Sequence, residues 1–320
     1  MACFFDLLMK QTCFGRCIFI GWYCEKGSCR FCYRSAVSHK QRHAEKSRRS
    51  MASMITDAIL GKNLGWKFEY LTGGYNNWDM DDIVGIAKNI SMVYREKIWV
   101  NLGILDEAAM DKLQPYVEGI CASIETVDKE LHDRLCPDKP IEPYAEMLRQ
   151  ARKKGFKTSI TIVIGLGEKK EDFSKLAEFI AEHKLDRITF YALKPVRGTE
   201  FENAKSPSIE YYSWWIRKTR QRFPDIDIVA GLTPKKIDYV SSILESGADT
   251  LTKFPAVRLF GSDKAKSIEE QAKKAGFEFK GTLTKLPDID WDNEVDKLDL
   301  DEELKEKVRN KLRLYLKKMH

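Results

Sequence analysis

The sequence predicts an α/β protein with a (β/α)8 barrel of the TIM type. Short apolar runs alternate with amphipathic segments from residue 17 to residue 275, and regular alternation of this kind indicates βαβ units with a parallel sheet. Eight such repeats are present, which is the number that closes into a barrel. The length of 320 residues suits one barrel but would also accommodate two domains. An open, doubly wound sheet is the alternative architecture.

The strands are identified by short apolar runs and the helices by apolar residues spaced three or four apart. The strands are predicted over residues 17–23, 67–71, 97–102, 116–124, 158–164, 187–193, 226–230 and 250–252. The helices are predicted over residues 47–60, 80–93, 107–113, 142–154, 171–183, 209–222, 235–246 and 266–275. Functional residues are expected directly after the strands, because both architectures bind ligands at the carboxyl ends of their strands.

The last part of the chain has a different character. Residues 288–303 are acidic, and residues 305–318 are basic with Val308, Leu312 and Leu316 at helical spacing. This pattern predicts a helix that packs its apolar stripe on the barrel and exposes its charged faces to solvent. The predicted organisation is an N-terminal extension over residues 1–16, a barrel over 17–286 and a C-terminal helical tail over 287–320.

Composition narrows the class of protein. The chain is 43% hydrophobic and 32% charged with a net charge of +6, which is typical of a globular protein and neither requires nor excludes an acidic partner. No signal peptide is recognised, and the longest apolar run, residues 17–24, is too short to cross a bilayer. We therefore expect a cytoplasmic protein with reduced thiols. Its eight cysteines then indicate metal binding rather than disulfides.

Five of the eight cysteines lie between residues 13 and 32, and three of them form the segment Cys24-Glu-Lys-Gly-Ser-Cys29-Arg-Phe-Cys32. Three thiolates in one loop can hold three irons of a 4Fe–4S cluster and leave the fourth iron open to a chelating ligand. The alternative is a structural zinc ion with Cys13 or Cys17 as the fourth thiolate. That alternative would make the chain a colourless, zinc-bound interaction module rather than an enzyme.

This cysteine segment resembles the cluster loop of radical S-adenosylmethionine (SAM) enzymes. The common spacing in that family is three residues and then two, whereas here it is four and then two. Other segments match the family in the expected order, each after a predicted strand. They are Thr72-Gly73-Gly74-Tyr75, Ser123-Ile124-Glu125-Thr126, Ile164-Gly165-Leu166-Gly167-Glu168, and Lys194-Pro195 with Gly198-Thr199. The resemblance covers roughly residues 15–280.

The resemblance implies a 4Fe–4S cluster on Cys24, Cys29 and Cys32, with S-adenosyl-L-methionine bound at its open iron. It implies SAM contacts from Tyr33, Gly73, Gly74, Ser123, Glu125, Ile164 and Gly165. The glycine pair would hold the methionine amino group, and Ile164 and Gly165 would lie beside the adenine. The reduced cluster would donate one electron to SAM, and the resulting 5′-deoxyadenosyl radical would remove a hydrogen atom from an unactivated carbon. No catalytic residue is assigned beyond the cluster.

Within the family the chain resembles the biotin synthase-like group, which includes the hydrogenase maturases. The matching residues include Ser123–Thr126 and the segment Glu130-Leu-His. Biotin synthesis itself is not expected, because Ser159 and Leu232 stand where biotin synthase has a cysteine and an arginine that bind its second cluster.

A different second cluster is hypothesised, with Cys13, Cys17, Cys121 and Cys136 as candidate ligands. The segment 13–17 is predicted to form a turn bent at Gly15, because two cysteines four residues apart in an extended strand lie about 13 Å apart. Cys121 is expected to point into the barrel, and Cys136 to lie in the loop after that strand. The alternative is that Cys121 and Cys136 are ordinary buried cysteines.

Two clusters on such a barrel resemble the archaeal two-protein lipoyl synthase. This resemblance implies sulfur insertion into the octanoyl group of an acylated lipoyl-carrier protein, a second radical SAM protein acting in succession, and an electron donor of the ferredoxin or flavodoxin type. A maturase that builds a hydrogenase or methanogen metal cofactor from a small molecule is the alternative and needs only one cluster.

Basic residues after the cluster loop would provide a docking surface for an acidic carrier protein. The alternative is that they form the solvated start of a helix. They are Lys40, Arg42, Lys46, Arg48 and Arg49. Neither a nucleic acid nor a membrane is expected as a partner.

Overall fold

The computed structural model describes residues 10–37, 44–75 and 77–319. The strands in these residues are β1 (Lys10–Phe19), β2 (Lys67–Thr72), β3 (Ile98–Asn101), β4 (Val117–Glu125), β5 (Lys157–Ile164), β6 (Arg187–Ala192), β7 (Asp227–Gly231), β8 (Thr250–Thr252) and β9 (Phe277–Lys280). The first helices are α1 (Tyr33–Val37), α2 (Ala44–Ser47), α3 (Met51–Asn63), α4 (Met80–Tyr94), α5 (Glu107–Leu113), α6 (Lys129–Leu135) and α7 (Ile141–Lys153). The remaining helices are α8 (Phe173–Glu182), α9 (Ile209–Arg222), α10 (Val240–Glu245), α11 (Asp263–Lys274), α12 (Trp291–Asp296) and α13 (Glu302–Met319).

The strands β1 to β8 close into a parallel barrel. Each strand from β2 to β7 pairs with the next, and β1 closes the ring by pairing with both β2 and β8. Helices lie between successive strands. The structure therefore confirms the predicted TIM-type (β/α)8 fold and excludes the open sheet. The ninth strand, which the sequence analysis did not predict, pairs with the first residues of β1.

The first strand begins at Lys10 rather than at residue 17, so the proposed boundary between extension and barrel falls inside it. The predicted turn over residues 13–17 is wrong, because these residues continue the strand. Gly15 has a different role from the expected bend. A Cβ at this position would lie 3.0 Å from Cγ2 of Thr250, so glycine allows β1 and β8 to approach closely.

Alternation along the strands separates the helix-facing core from the barrel interior. On β5, Ile160, Ile162 and Ile164 belong to the large core between strands and helices, whereas Thr161 and Val163 face the interior. The C-terminal helix α13 packs on α3 and buries Val308 and Leu312, as the apolar spacing predicted. No helix in the described part of the chain is long and apolar enough to cross a membrane.

Candidate active site

A cavity of about 380 Å³ lies at the carboxyl ends of the first strands, and we call it the cluster cavity. Its wall contains Cys24, Cys29 and Cys32, all half-buried. Five of the seven residues predicted to contact SAM also line it. They are Tyr33, Gly73, Gly74, Ser123 and Glu125. The structure thus brings the cysteine segment together with residues from the ends of β2 and β4, as expected for ligand sites on this fold.

The cysteine loop connects β1 to α1 and is fixed to its neighbours by backbone hydrogen bonds. The amide of Glu25 donates to the Tyr75 carbonyl at 3.1 Å, and the amide of Arg30 donates to the Leu135 carbonyl at 3.0 Å. The loop is therefore held between the segment after β2 and the end of α6. Within it, Gly27 has a φ of 49°, a backbone conformation that glycine adopts without a steric penalty.

Glycine is required after β2 because the cysteine loop lies against its backbone. A Cβ at Gly74 would lie 2.1 Å from the Tyr23 carbonyl oxygen and 2.6 Å from the Cβ of Cys24. A Cβ at Gly73 would lie 2.5 Å from Cγ1 of Ile20. The pair therefore lets two backbone segments meet at the cavity wall, which is compatible with its expected role in holding a ligand through backbone groups.

A buried ion pair follows β4. Lys139 Nζ lies 3.2 Å from Glu125 Oε1 and donates to the Ser123 carbonyl at 3.1 Å. Burial alone would lower the pKa of Lys139, but Glu125, together with Tyr144, Cys29 and Cys136, outweighs burial and holds this pKa well above its usual range. Glu125 has a φ of 62°, which is uncommon for a residue other than glycine and is concentrated at functional sites. Sequence reasoning found Glu125 but missed Lys139, which follows no strand directly.

The residues around the cluster cavity fit an iron–sulfur cluster with SAM. Three thiols from one loop face a single cavity, and the hydroxyl of Tyr33 is buried there with no partner among the described residues. Burial raises the pKa of Tyr33 to about 12, so the hydroxyl stays protonated and can donate. No three His, Cys, Asp or Glu side chains in the described residues converge tightly enough for a single ion. A four-iron cluster spreads its ligands over a wider span than one zinc ion.

The thiols of the loop differ in acidity. A hydrogen bond with Cys136 lowers the pKa of Cys29 to about 7, whereas burial raises the pKa of Cys32. Cys136 thus lies beside the cysteine loop, on the active face where the sequence analysis expected it.

The four candidate ligands of a second cluster lie in three separate places. Cys13 is near the opposite end of the barrel, with its Sγ 3.9 Å from Thr250 Oγ1. Cys17 and Cys121 belong to a small apolar cluster inside the barrel, and Cys136 belongs to another group beside Cys29. The described residues therefore do not assemble these four cysteines into one ligand set. Cys3, the remaining cysteine, lies outside the described residues.

Two predicted SAM contacts lie outside the cluster cavity. The side chain of Ile164 is buried in the core between strands and helices. The amide of Gly165 donates to the Glu168 side chain at 2.8 Å. The same strand contributes Thr161 and Val163 to the cavity instead, because alternate side chains of β5 face the interior.

Below the cavity lies a buried carboxylate that sequence reasoning missed. Glu69 Oε1 accepts a hydrogen bond from the Tyr191 hydroxyl at 2.9 Å, and Oε2 accepts one from the Cys17 thiol at 2.9 Å. The Thr252 hydroxyl donates to the same carboxylate. Burial, together with the neighbouring Glu69, raises the pKa of Cys17 well above its usual range, so this thiol stays protonated.

Lys253 joins this network to the cavity. Its Nζ lies 3.9 Å from Cys17 Sγ and 4.5 Å from the centre of the Tyr191 ring. Lys253 directly follows β8, so its position at a strand end was the signal that could have identified it.

The basic segment after the cysteine loop is partly held within the fold. Arg49 forms an ion pair with Asp57 at 2.8 Å, and Arg48 Nε donates to the Asn77 carbonyl at 2.7 Å. Lys46 is exposed, whereas Lys40 and Arg42 lie outside the described residues. The side chains of both arginines are therefore engaged in contacts within the fold.

The chain belongs to the radical SAM superfamily. The family model named "Radical SAM superfamily" matches residues 20–180, which cover the cysteine loop and the four strands β2 to β5. An uncharacterized protein of Methanocaldococcus jannaschii is 36% identical over 322 residues, spanning 96% of this chain and 89% of that protein. The chain is thus an enzyme of the family that the cysteine loop indicated, and the family implies a 4Fe–4S cluster and SAM.

Other relatives are more distant. A biotin synthase of Clostridium botulinum is 22% identical over 78% of this chain and 80% of its own length. A 7,8-didemethyl-8-hydroxy-5-deazariboflavin synthase of Archaeoglobus fulgidus is 29% identical over 47% of each chain. Among solved structures, methylornithine synthase superposes with a TM-score of 0.64 at 21% identity, covering 76% of this chain and 71% of that chain. This last similarity concerns the fold alone.

Proposed function

We propose that Cys24, Cys29 and Cys32 hold a 4Fe–4S cluster with which the enzyme cleaves SAM reductively, so that a hydrogen atom is removed from a small organic substrate. When bound, the cluster supplies the electron that splits SAM into methionine and a 5′-deoxyadenosyl radical. The observation that carries the proposal is the convergence of the three cysteines, the glycine pair and the Glu125–Lys139 ion pair on the cluster cavity.

The residues of the cavity have separate roles in this proposal. Glu125 and Lys139 provide one negative and one positive charge, which suit the ammonium and carboxylate groups of the methionine end of SAM. The Tyr33 hydroxyl is available to hydrogen-bond another of its polar groups, and the Ser123 hydroxyl, which donates to Asn101 Oδ1 at 2.9 Å, can still accept a hydrogen bond. The half-buried position of the cysteines limits the access of water to the site.

A small substrate is favoured over an acylated carrier protein. Two relatives, biotin synthase and the deazariboflavin synthase, are named for small-molecule products. Sulfur insertion requires a sulfur source besides SAM, and the four candidate cysteines are not assembled into a second ligand set. The one-cluster alternative, a radical SAM enzyme that modifies a small precursor, therefore accounts better for the site. Lipoyl synthesis with a second radical SAM protein stays a prediction, as does a ferredoxin or flavodoxin donor.

One observation keeps sulfur insertion as a second candidate. Cys17 lies inside the barrel, yet it lines the cluster cavity together with Cys24, Cys29 and Cys32. A sulfur atom of the chain is therefore present where a substrate radical would form.

The test is anaerobic reconstitution followed by iron and sulfide analysis and by assay of 5′-deoxyadenosine with a chemical reductant. The wild type would be compared with the Cys24→Ala, Cys29→Ala, Cys32→Ala triple variant and with Cys13→Ala as the control. The proposal expects about four irons in the wild type and in the control, and almost none in the triple variant. Deoxyadenosine should follow the same pattern.

Two other results would change or contradict the proposed function. About eight irons in the wild type and four in the triple variant would establish a second cluster and favour sulfur insertion. Bound zinc with no deoxyadenosine in the wild type would contradict radical chemistry altogether.

A further inference from the structure

A second cavity of about 380 Å³ opens at the carboxyl ends of β6, β7 and β8, and we call it the β6–β8 cavity. It shares Tyr191 and Lys253 with the cluster cavity, so the two spaces adjoin. Three cationic side chains line it, namely Lys194, Lys253 and Arg258. No carboxylate of the described residues lines it, which gives the cavity a single sign of charge.

The three cations are not neutralised by the protein. Neither Lys194 nor Arg258 makes a side-chain ion pair or hydrogen bond within residues 10–37, 44–75 and 77–319. The amine of Lys253 contacts a thiol and aromatic faces but forms no ion pair in this part of the chain. Because Glu69 accepts hydrogen bonds from Cys17, Tyr191 and Thr252, its carboxylate is already occupied.

A neighbouring cation behaves differently. Lys236, in the loop after β7, donates to the Pro207 carbonyl at 3.0 Å. By contrast, Lys194, Lys253 and Arg258 are donors in the cavity wall that remain available. A cleft lined by one sign of charge focuses the field and raises the local concentration of oppositely charged ligands.

The backbone of Lys253 supports a ligand-binding role. Its φ is 65°, in the left-handed region that residues other than glycine seldom occupy. Such strain is retained where the surrounding structure fixes it, and it is concentrated at functional sites. Here it directs the amine over the Tyr191 ring, at the junction of the two cavities.

We propose that the β6–β8 cavity binds an oxyanion of the substrate, a carboxylate or a phosphate, through Lys194, Lys253 and Arg258. This proposal rests on the proposed function, because it assigns the anionic end of the substrate that the radical attacks. The remainder of the substrate would extend past Tyr191 and Lys253 into the cluster cavity. A larger adjoining cavity of about 970 Å³ contains the same three cations, so a longer anionic substrate would also fit.

The experiment is equilibrium dialysis of the reconstituted enzyme against labelled inorganic phosphate or labelled succinate at constant ionic strength. The variants are Arg258→Gln, Lys253→Gln and the double variant. The control is Lys235→Gln, which removes an exposed lysine of the adjacent loop that lines neither cavity. Dissociation constants for the preferred anion should rise at least about tenfold in the double variant and stay unchanged in the control. The preferred anion distinguishes a phosphate from a carboxylate substrate.

Three results of the dialysis, and a fourth from SAM binding, would overturn the proposal. The first three are no binding of either anion by the wild type, equal affinity in the wild type and the double variant, and an equal loss in Lys235→Gln. SAM affinity is measured in parallel, because a matching loss of SAM binding would assign the cations to the SAM carboxylate and also overturn the proposal. Failure of the proposed function is distinguishable, since it appears as a wild type that makes no deoxyadenosine whether or not it binds anions.

Discussion

The two parts of the barrel differ in whether their charged groups are paired within the chain. At the ends of β1 to β5, charged groups have partners within the chain, as Lys139 has in Glu125 at 3.2 Å. At the ends of β6 to β8, Lys194 and Arg258 have none in the described residues, although they lie on the same face of the barrel. The first part is thus a site whose charges are paired within the chain, and the second presents cations without a counter-charge in the described residues.

This difference follows the extent of the family match, which ends at residue 180, before β6. A superfamily shares the residues that perform its common step, whereas residues that recognise each substrate differ among its members. We interpret the first five strands as the part that handles the cluster and SAM, and the last three as the part that selects the substrate. Four experiments test this division between the two parts of the barrel.

The strongest test of the first part is Gly74→Ala. The new Cβ would lie 2.1 Å from the Tyr23 carbonyl oxygen, so the cysteine loop must move and deoxyadenosine formation should be abolished while the barrel remains folded. The control is Gly85→Ala, in α4, where an added Cβ meets nothing within 4 Å. That change should leave activity intact and raise the free energy of unfolding by up to about 1 kcal/mol. Full activity in Gly74→Ala would show that the loop does not depend on this contact.

Thiol reactivity distinguishes the cavity from the barrel interior. Cys29 has a pKa of about 7 because of its hydrogen bond with Cys136, whereas burial raises the pKa of Cys121 to about 12. In the metal-free folded protein, alkylation of Cys29 should increase as the pH rises through 7 and then level off. At pH 8 the thiolate populations differ by about four orders of magnitude, and Cys121 should stay unmodified. Peptide mass spectrometry measures both, and equal labelling would contradict the assignment.

Lys139→Met tests whether the first part depends on its internal ion pair. The substitution leaves Glu125 buried without a counter-charge, and the free energy of unfolding should fall by about 3–5 kcal/mol. The control is Lys129→Met, which removes the partner of Asp133 in an exposed pair and should cost about 0–1 kcal/mol. Denaturant titration gives both values. A similarly small loss of stability in both variants would show that the Glu125–Lys139 ion pair contributes no more than an exposed ion pair.

The smallest effect concerns α13, which packs on α3 and also contributes Tyr315 and Lys318 to the larger cavity of the second part. Leu312→Ala should lower the free energy of unfolding by about 2–5 kcal/mol, because Leu312 is buried. Leu314→Ala is the control, since Leu314 is 56% exposed and should change stability by about 0.5 kcal/mol or less. Equal values would mean that α13 does not dock in solution.

Most of the fold was predictable because apolar runs and helical spacing are strong in residues 67–252. The first strand was only partly recognised, since Gly15 and Arg16 interrupt its apolar pattern. Those residues are explained only by neighbours distant in sequence: Gly15 packs against Thr250, and Arg16 pairs with Asp57. The strand β9 was missed because four residues with alternating Phe and charge give too short a pattern.

The site residues were predictable where they belong to short, contiguous sequence motifs. The cysteine spacing pointed to Cys24, Cys29 and Cys32, and the family resemblance at strand ends pointed to Gly73, Gly74, Ser123 and Glu125; all seven line the cluster cavity. Glu69 and Lys139 were not identified, because a charged residue in or near a strand is most often exposed and only tertiary contacts distinguish these two. The turn predicted for residues 13–17 was wrong for a similar reason. A glycine allows either a bend or a close contact between strands, and only the folded neighbours distinguish the two.

Electron paramagnetic resonance of the reduced, reconstituted protein, before and after addition of SAM, tests most directly whether the cluster cavity holds a cluster that binds SAM. We expect the signal of a reduced 4Fe–4S cluster whose g-values shift when SAM binds, because the fourth iron is open to a ligand. The triple variant of Cys24, Cys29 and Cys32 should lack this signal. A wild type without a cluster signal, or with a signal that SAM leaves unchanged, would contradict the assignment of the cluster cavity.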